Sequence, residues 1–200
     1  MRRIDYYFAP QSPWTYLGHD RLVAMARQAG AQVHLMPADF GQIFAASGGL
    51  PLGKRAPQRQ AYRLVELARF SDHLGLPLNL QPRFFPVAVD DAARLLIAAQ
   101  LAAGSEVALK LSGAVFRAVW AQERNIADAG TLAELLAEQG LPAAWLDEAH
   151  SAQVQELYEA HTRQAIATGV FGAPSYVIDG EIFWGQDRLD LLERRLARAD

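Results

Sequence analysis

The hydrophobic period of this chain changes twice, and that change limits its possible folds more than any other feature. Residues 3–8 (Arg-Ile-Asp-Tyr-Tyr-Phe) are rich in aromatic and β-branched side chains and stop at Ala9-Pro10, which predicts a strand. Ser12-Pro13 then offers a hydroxyl N-cap followed by proline at the first helical position. Trp14, Leu17, Leu22, Met25, Ala26 and Ala29 follow at helical spacing, Gly30 ends the run, and residues 32–38 predict a second strand. From about residue 58 to 169 the pattern is helical almost throughout. Ala61, Leu64, Val65 and Ala68 lie at i, i+3, i+4 and i+7, and Val154, Leu157, Tyr158 and His161 repeat that spacing. Gly75, Gly104, Gly130 and Gly140 punctuate the helices, and residues 48–57 form a Gly/Pro/basic loop. The period returns to two where Ser175-Tyr176-Val177-Ile178 and Glu181-Ile182-Phe183-Trp184 flank Asp179-Gly180, a pair suited to a tight hairpin turn. A last helix carries Leu189, Leu192 and Leu196, with Asp187 as its candidate cap. This order predicts an α/β fold: a small mixed sheet shared by residues 1–40 and 170–200, with a mostly helical domain, residues 41–169, inserted between its halves.

Composition removes several functions. Cysteine is absent, which excludes disulfides, dithiol redox catalysis and thiolate metal sites. Lys plus Arg number 19 against 22 Asp plus Glu, a formal net charge of −3, so no basic field draws in nucleic acid or an anionic membrane. The longest apolar stretch, residues 92–103, is broken by Arg94 and Gln100 and is shorter than the roughly 20 residues of a membrane span. No apolar region follows Arg2-Arg3, so the opening is not expected to be a secretory leader, and the expected compartment is the cytoplasm.

Ser12 is the first candidate for chemistry. A hydroxyl between a strand end and a helix start meets backbone N–H groups and the positive end of the helix dipole, where a thiolate, carboxylate or phosphate is stabilised. A simple helix cap explains the same residue. A hydrolase nucleophile would need a Gly-x-Ser-x-Gly turn, which is missing, and His19, further along the helix, is expected to point away from Ser12. Gly48 to Lys54 copies the spacing of a phosphate loop, but Arg55 stands where a magnesium-binding hydroxyl belongs; Asp147-Glu148-Ala149-His150 is equally accidental. Lys54, Arg55, Arg59 and Arg63 form a basic group able to clamp a carboxylate, or simply a solvated loop. The histidines show no metal-ligand spacing, no metal is expected, and His161 falls on an apolar helix face as a core residue. Ala173-Pro174, between a glycine turn and a buried strand, is a candidate cis peptide or an ordinary trans proline opening the strand.

Three segments together resemble the DsbA-like thioredoxin superfamily, in its cysteine-free branch of 2-hydroxychromene-2-carboxylate isomerases and kappa-class glutathione transferases. They are Phe8-Ala9-Pro10-Gln11-Ser12-Pro13-Trp14-Thr15-Tyr16-Leu17, Val170-Phe171-Gly172-Ala173-Pro174, and Phe183-Trp184-Gly185-Gln186-Asp187-Arg188-Leu189. The resemblance covers nearly the whole chain and implies a thioredoxin-like fold with an inserted all-α domain. It gives Ser12, at the place of the first redox cysteine, the task of activating the sulfur of bound glutathione. It assigns glutathione contacts to Ala173, Pro174, Trp184, Gly185, Gln186 and Asp187, with Asp187 facing the γ-glutamyl ammonium.

The implied reaction is reversible thiolate addition to an unsaturated aromatic-derived carboxylate, rotation about the new single bond, and elimination. The second-substrate residues depart from the family: Phe44 stands where naphthalene-pathway isomerases tend to place a lysine, Phe84 where they have an aromatic hydroxyl, and Lys54-Arg55 where they have Asn-Arg. The expected partners are glutathione and a small aromatic-derived acid, without nucleic acid or membrane, in a homodimer. A kappa-like transferase or peroxidase is one alternative; a non-catalytic thioredoxin-like module holding an extended peptide is another.

Overall fold

The computed structural model describes residues 2–198. The chain runs β1 (Arg3–Phe8), α1 (Pro13–Gln28), β2 (Gln32–Pro37), α2 (Phe40–Ser47), a 3-10 turn (Leu52–Lys54) and α3 (Pro57–Leu74). It continues through α4 (Asp90–Trp120), α5 (Ala129–Glu138), α6 (Trp145–Glu148) and α7 (Ala152–Thr168). It closes with β3 (Ser175–Ile178), β4 (Glu181–Trp184), a 3-10 turn (Gln186–Arg188) and α8 (Leu189–Ala197). The four strands form one sheet in the order β2-β1-β3-β4. β2 lies parallel to β1, while β1/β3 and β3/β4 are antiparallel. Asp179 and Gly180 take φ of 51° and 81°, the left-handed pair that a two-residue hairpin turn requires.

Alternation along β1 divides the core. Ile4, Tyr6 and Phe8 point to the face shared with Leu35, Tyr176 and the buried sides of α1, α4 and α8. Tyr7 points the other way, with Met36, Val177, Ile43 of α2 and Ala165 of α7. A slip of one residue in β1 would exchange these sets, so register is held by burial on both faces. Leu132, Leu136 and Trp145 belong to the same buried cluster as Ile4 and Tyr6, so the core of the helical block merges with that of the sheet.

α4 extends the expected apolar stretch from residue 103 to Trp120. The helix breaks at Gly104 (φ 81°, ψ 174°), a conformation open to a residue without Cβ. By length and composition α4 could cross a membrane. Here its buried residues, among them Ala92, Leu96, Leu111, Val115 and Phe116, lie in the core with β1, β2 and α1.

Candidate active site

β1 delivers Ser12 to the start of α1. A turn closes behind the strand, the Ser12 N–H donating to the Ala9 carbonyl at 2.9 Å. Ser12 is extended (φ −74°, ψ 123°), and its Oγ accepts from the Thr15 N–H at 3.3 Å. Ser12 is therefore a helix cap, and that role leaves the hydroxyl proton free to donate. Pro13 contributes no N–H, and the first turn of α1 contains no acidic residue. The positive end of the helix dipole is thus uncompensated by protein charge. Thr15 is buried with its Oγ1 unpaired among the described residues.

β3 brings the second component beside it. The antiparallel register pairs Ser175 with Tyr7, so the segment entering β3 passes alongside the segment leaving β1. Ala173-Pro174 in that segment is cis. The Pro174 carbonyl accepts from the Gly185 N–H at 2.9 Å, and Ser175 Oγ donates to the Gly172 carbonyl at 2.7 Å. The Ala173 N–H and C=O take no part in the backbone bonds of this turn. They are the natural points at which an extended ligand adds as a strand.

The β4 exit supplies the third component, and here the structure divides the residues named from the resemblance. Trp184 is half-exposed and packs edge-on to Phe171, with ring centroids 4.8 Å apart. Gly185 has φ 101° and would place a Cβ 2.5 Å from Asp187 Oδ1, so glycine is required. Asp187 is exposed, pairs with Arg188 at 2.7 Å, and makes no capping bond to α8, contrary to the expected cap. Its carboxylate is open to an ammonium. Gln186 is buried, and both its carbonyl (2.8 Å) and its Oε1 accept from Arg21 of α1. It is a positioning residue that locks the β4 exit onto the helix that carries Ser12.

Gly18 makes this closure possible. A Cβ there would lie 2.8 Å from Gln186 Cβ and 3.0 Å from the Tyr176 hydroxyl. Arg21 and Gly18 were not singled out by sequence reasoning; a glycine inside a strong helical pattern was the available signal.

The expected substrate residues do not form a single group. Lys54 and Arg59 are exposed. Arg55 is partly buried, its guanidinium over the Phe44 ring at 5.9 Å and its Nε donating to the Leu50 carbonyl. Burial and the nearby Arg59 lower its pKa. Phe84 packs under Arg83, whereas its neighbour Phe85 turns inward against Trp120 of α4. Phe85 is thus the ring of this pair that packs on the helical core. The false phosphate loop at residues 48–54 follows α2 and not a strand, so no phosphate cradle forms.

The histidines serve the interior. His19 Nε2 pairs with the Leu109 carbonyl at 2.9 Å, and burial lowers its pKa. His161 Nδ1 pairs with the Pro37 carbonyl at 3.2 Å, and burial depresses its pKa to about 4. A polar hollow of about 640 Å³ lies beside Arg3, Asp5 and Val177, at the opposite end of β1 from Ser12. Ser12 and Ala173 are instead partly exposed on the open end of the sheet.

The model of the DSBA-like thioredoxin domain matches residues 3–197. A 2-hydroxychromene-2-carboxylate isomerase from Sphingobium xenophagum is 31% identical, with 98% of each chain covered. Glutathione S-transferase kappa 1 from Homo sapiens is 25% identical, covering 98% of this chain and 91% of its own length. A solved 2-hydroxychromene-2-carboxylate isomerase superposes with a TM-score of 0.79 at 26% identity, covering 98% of this chain and 95% of its own. The chain belongs to the DsbA-like thioredoxin family, on the branch that holds 2-hydroxychromene-2-carboxylate isomerases and kappa-class glutathione transferases.

Proposed function

We propose that the protein is a glutathione-dependent isomerase of the 2-hydroxychromene-2-carboxylate type. The observation that carries this reading is the pairing of a hydroxyl at an acid-free helix N-terminus, Ser12, with the unpaired backbone of Ala173 across the β1–β3 register. The first suits an anionic sulfur and the second an extended peptide, and glutathione presents both. Asp187, exposed at the β4 exit, adds a carboxylate suited to the γ-glutamyl ammonium.

Ser12 donates its hydroxyl hydrogen to the sulfur, and the N-terminal end of α1 directs its dipole toward the same point, while the Thr15 N–H holds the Ser12 oxygen in place. Together they favour the ionised form of a thiol whose free pKa is about 8.5. Ala173 holds the peptide part in strand geometry, and Arg21 with Gln186 keeps the β4 exit closed against α1. When bound, glutathione supplies a thiolate that adds reversibly to an unsaturated carbon of the substrate and leaves after rotation, with no net oxidation or reduction.

Phe44 in place of the lysine and Phe84 without a hydroxyl support a second reading, a kappa-like transferase that conjugates an electrophile. The test is calorimetric titration with glutathione, followed by parallel assays of chromene-carboxylate isomerisation and of conjugation. The proposal expects glutathione binding and isomerisation that stops when glutathione is withdrawn. Conjugation without isomerisation selects the transferase. No binding at millimolar glutathione contradicts both and selects a peptide-holding module.

A further inference from the structure

Arg63 of α3 is a partly buried arginine that pairs with no acid among the described residues. Its guanidinium lies 5.1 Å from the Phe85 ring centroid and 5.7 Å from that of Trp120, and the two rings are 4.9 Å apart. Nη2 of Arg63 and Nε1 of Trp120 are both buried, and neither meets an acceptor among the described residues. Glu66, one turn further along α3, is engaged by Arg69 at 2.8 Å. Burial and the neighbouring Arg55 lower the Arg63 pKa to about 10, which leaves it charged at neutral pH. The two rings are tilted to one another by 51°, the guanidinium lies against both, and its edge matches the two oxygens of a carboxylate.

This cluster is joined to the Ser12 turn by the chain itself. Gln11, the residue before Ser12, accepts the Val87 N–H through Oε1 at 3.0 Å, so the loop carrying Phe85 is fixed to the end of β1. The other end of that loop is held by the Tyr16 hydroxyl on the Pro77 carbonyl and by the Asn79 N–H on the Trp120 carbonyl, each at 2.7 Å. Sequence spacing grouped Arg63 with Lys54, Arg55 and Arg59; the structure separates it from the exposed pair by burial and by its aromatic stack.

We propose that Arg63, held against Phe85 and Trp120, receives the carboxylate of a planar aromatic acid bound beside the Ser12 turn, and so makes the protein prefer such acids to their neutral analogues. The role of that acid as second substrate rests on the glutathione reading; the binding site does not.

The test measures binding of 2-naphthoate and of 2-naphthamide, which share a ring and differ in charge, to the full chain and to Arg63→Met and Arg63→Lys. The wild-type protein is expected to hold the acid at least about 10-fold more tightly than the amide. Arg63→Met keeps an apolar stem against the rings and is expected to bind both alike, with glutathione affinity unchanged. Arg63→Lys keeps the charge but loses the planar fork, and is expected to retain only part of the preference. Should Arg63→Met fail to fold, the lysine variant decides: an undiminished preference there overturns the proposal. Equal binding of acid and amide by the wild type, or a preference that survives in folded Arg63→Met, also overturns it. Absence of glutathione binding with the naphthoate preference intact would remove the isomerase reading and leave this site standing.

Discussion

The glutathione half and the second-substrate half of the proposed site are built in different ways. The first uses backbone: a helix N-terminus at Ser12, the free peptide groups of Ala173, and a glycine-shaped exit at Gly185, all positioned by the register of β1, β3 and β4. The second uses side chains brought together from α3, the 82–87 loop and α4, with Arg63 against Phe85 and Trp120. Backbone geometry survives substitution of most side chains, so the first half can be shared across relatives of different activity. Side chains that meet only in three dimensions can change one at a time, and this is where substrate choice can diverge.

Removing the Ser12 hydroxyl breaks the first half most directly. Ser12→Ala should lower glutathione-dependent turnover by about 10²–10³-fold, as for loss of a donor aimed at developing charge. The lost cap should cost the fold only about 1 kcal/mol. Turnover near the wild-type value in a folded mutant would remove Ser12 from the chemistry.

Acid should act next, through the scaffold beneath the backbone-built half. His161 is buried under β2, paired with the Pro37 carbonyl and edge-on to His34 at 6.3 Å. Its folded pKa of about 4 lies below the ordinary value of 6.5, so the unfolded chain binds the proton more readily between those values. Stability is therefore complete above about pH 6.5 and falls as pH drops toward 4, by at most about 3 kcal/mol from this residue. Burial lowers His19 and His34 as well, which adds to the effect in the same direction. Denaturant melts between pH 7 and 4.5 measure it; a His161→Phe variant should show a flatter profile.

A smaller effect comes from the joint between α1 and the β4 exit. Gly18→Val pushes a side chain against Gln186 and Tyr176 and should destabilise by about 1–3 kcal/mol, with weaker glutathione binding. A mutant with unchanged melting and affinity would show that this closure does not position the site. Asp187→Asn should be milder still, raising the KM for glutathione about 10-fold with kcat nearly unchanged, the pattern of lost uniform binding.

The same contrast explains what could be read from the sequence. The strands, the Ser12-Pro13 cap and the Asp179-Gly180 turn are local patterns, and each stands where its residues predicted it, whereas the isomer of Pro174, open in the sequence, is cis. Gln186 was named at the β4 exit, but nothing local reveals that Arg21, 165 residues earlier, donates to its carbonyl and amide oxygen. Phe84 and Phe85 are indistinguishable in sequence; only the fold decides which ring meets Trp120. The merged core of sheet and helices was hidden for the same reason, since helical periodicity marks a buried face without naming its partner.

The central claim is that α1 holds a thiolate the chain does not itself possess. Because cysteine is absent, any thiolate absorbance in a solution of protein and glutathione belongs to glutathione. Titrating that ultraviolet signal with pH, for wild type and Ser12→Ala, should give an apparent thiol pKa at least about one unit below 8.5 in the first and close to 8.5 in the second. An unshifted thiol in the wild-type complex, or equal shifts in both proteins, would contradict the account.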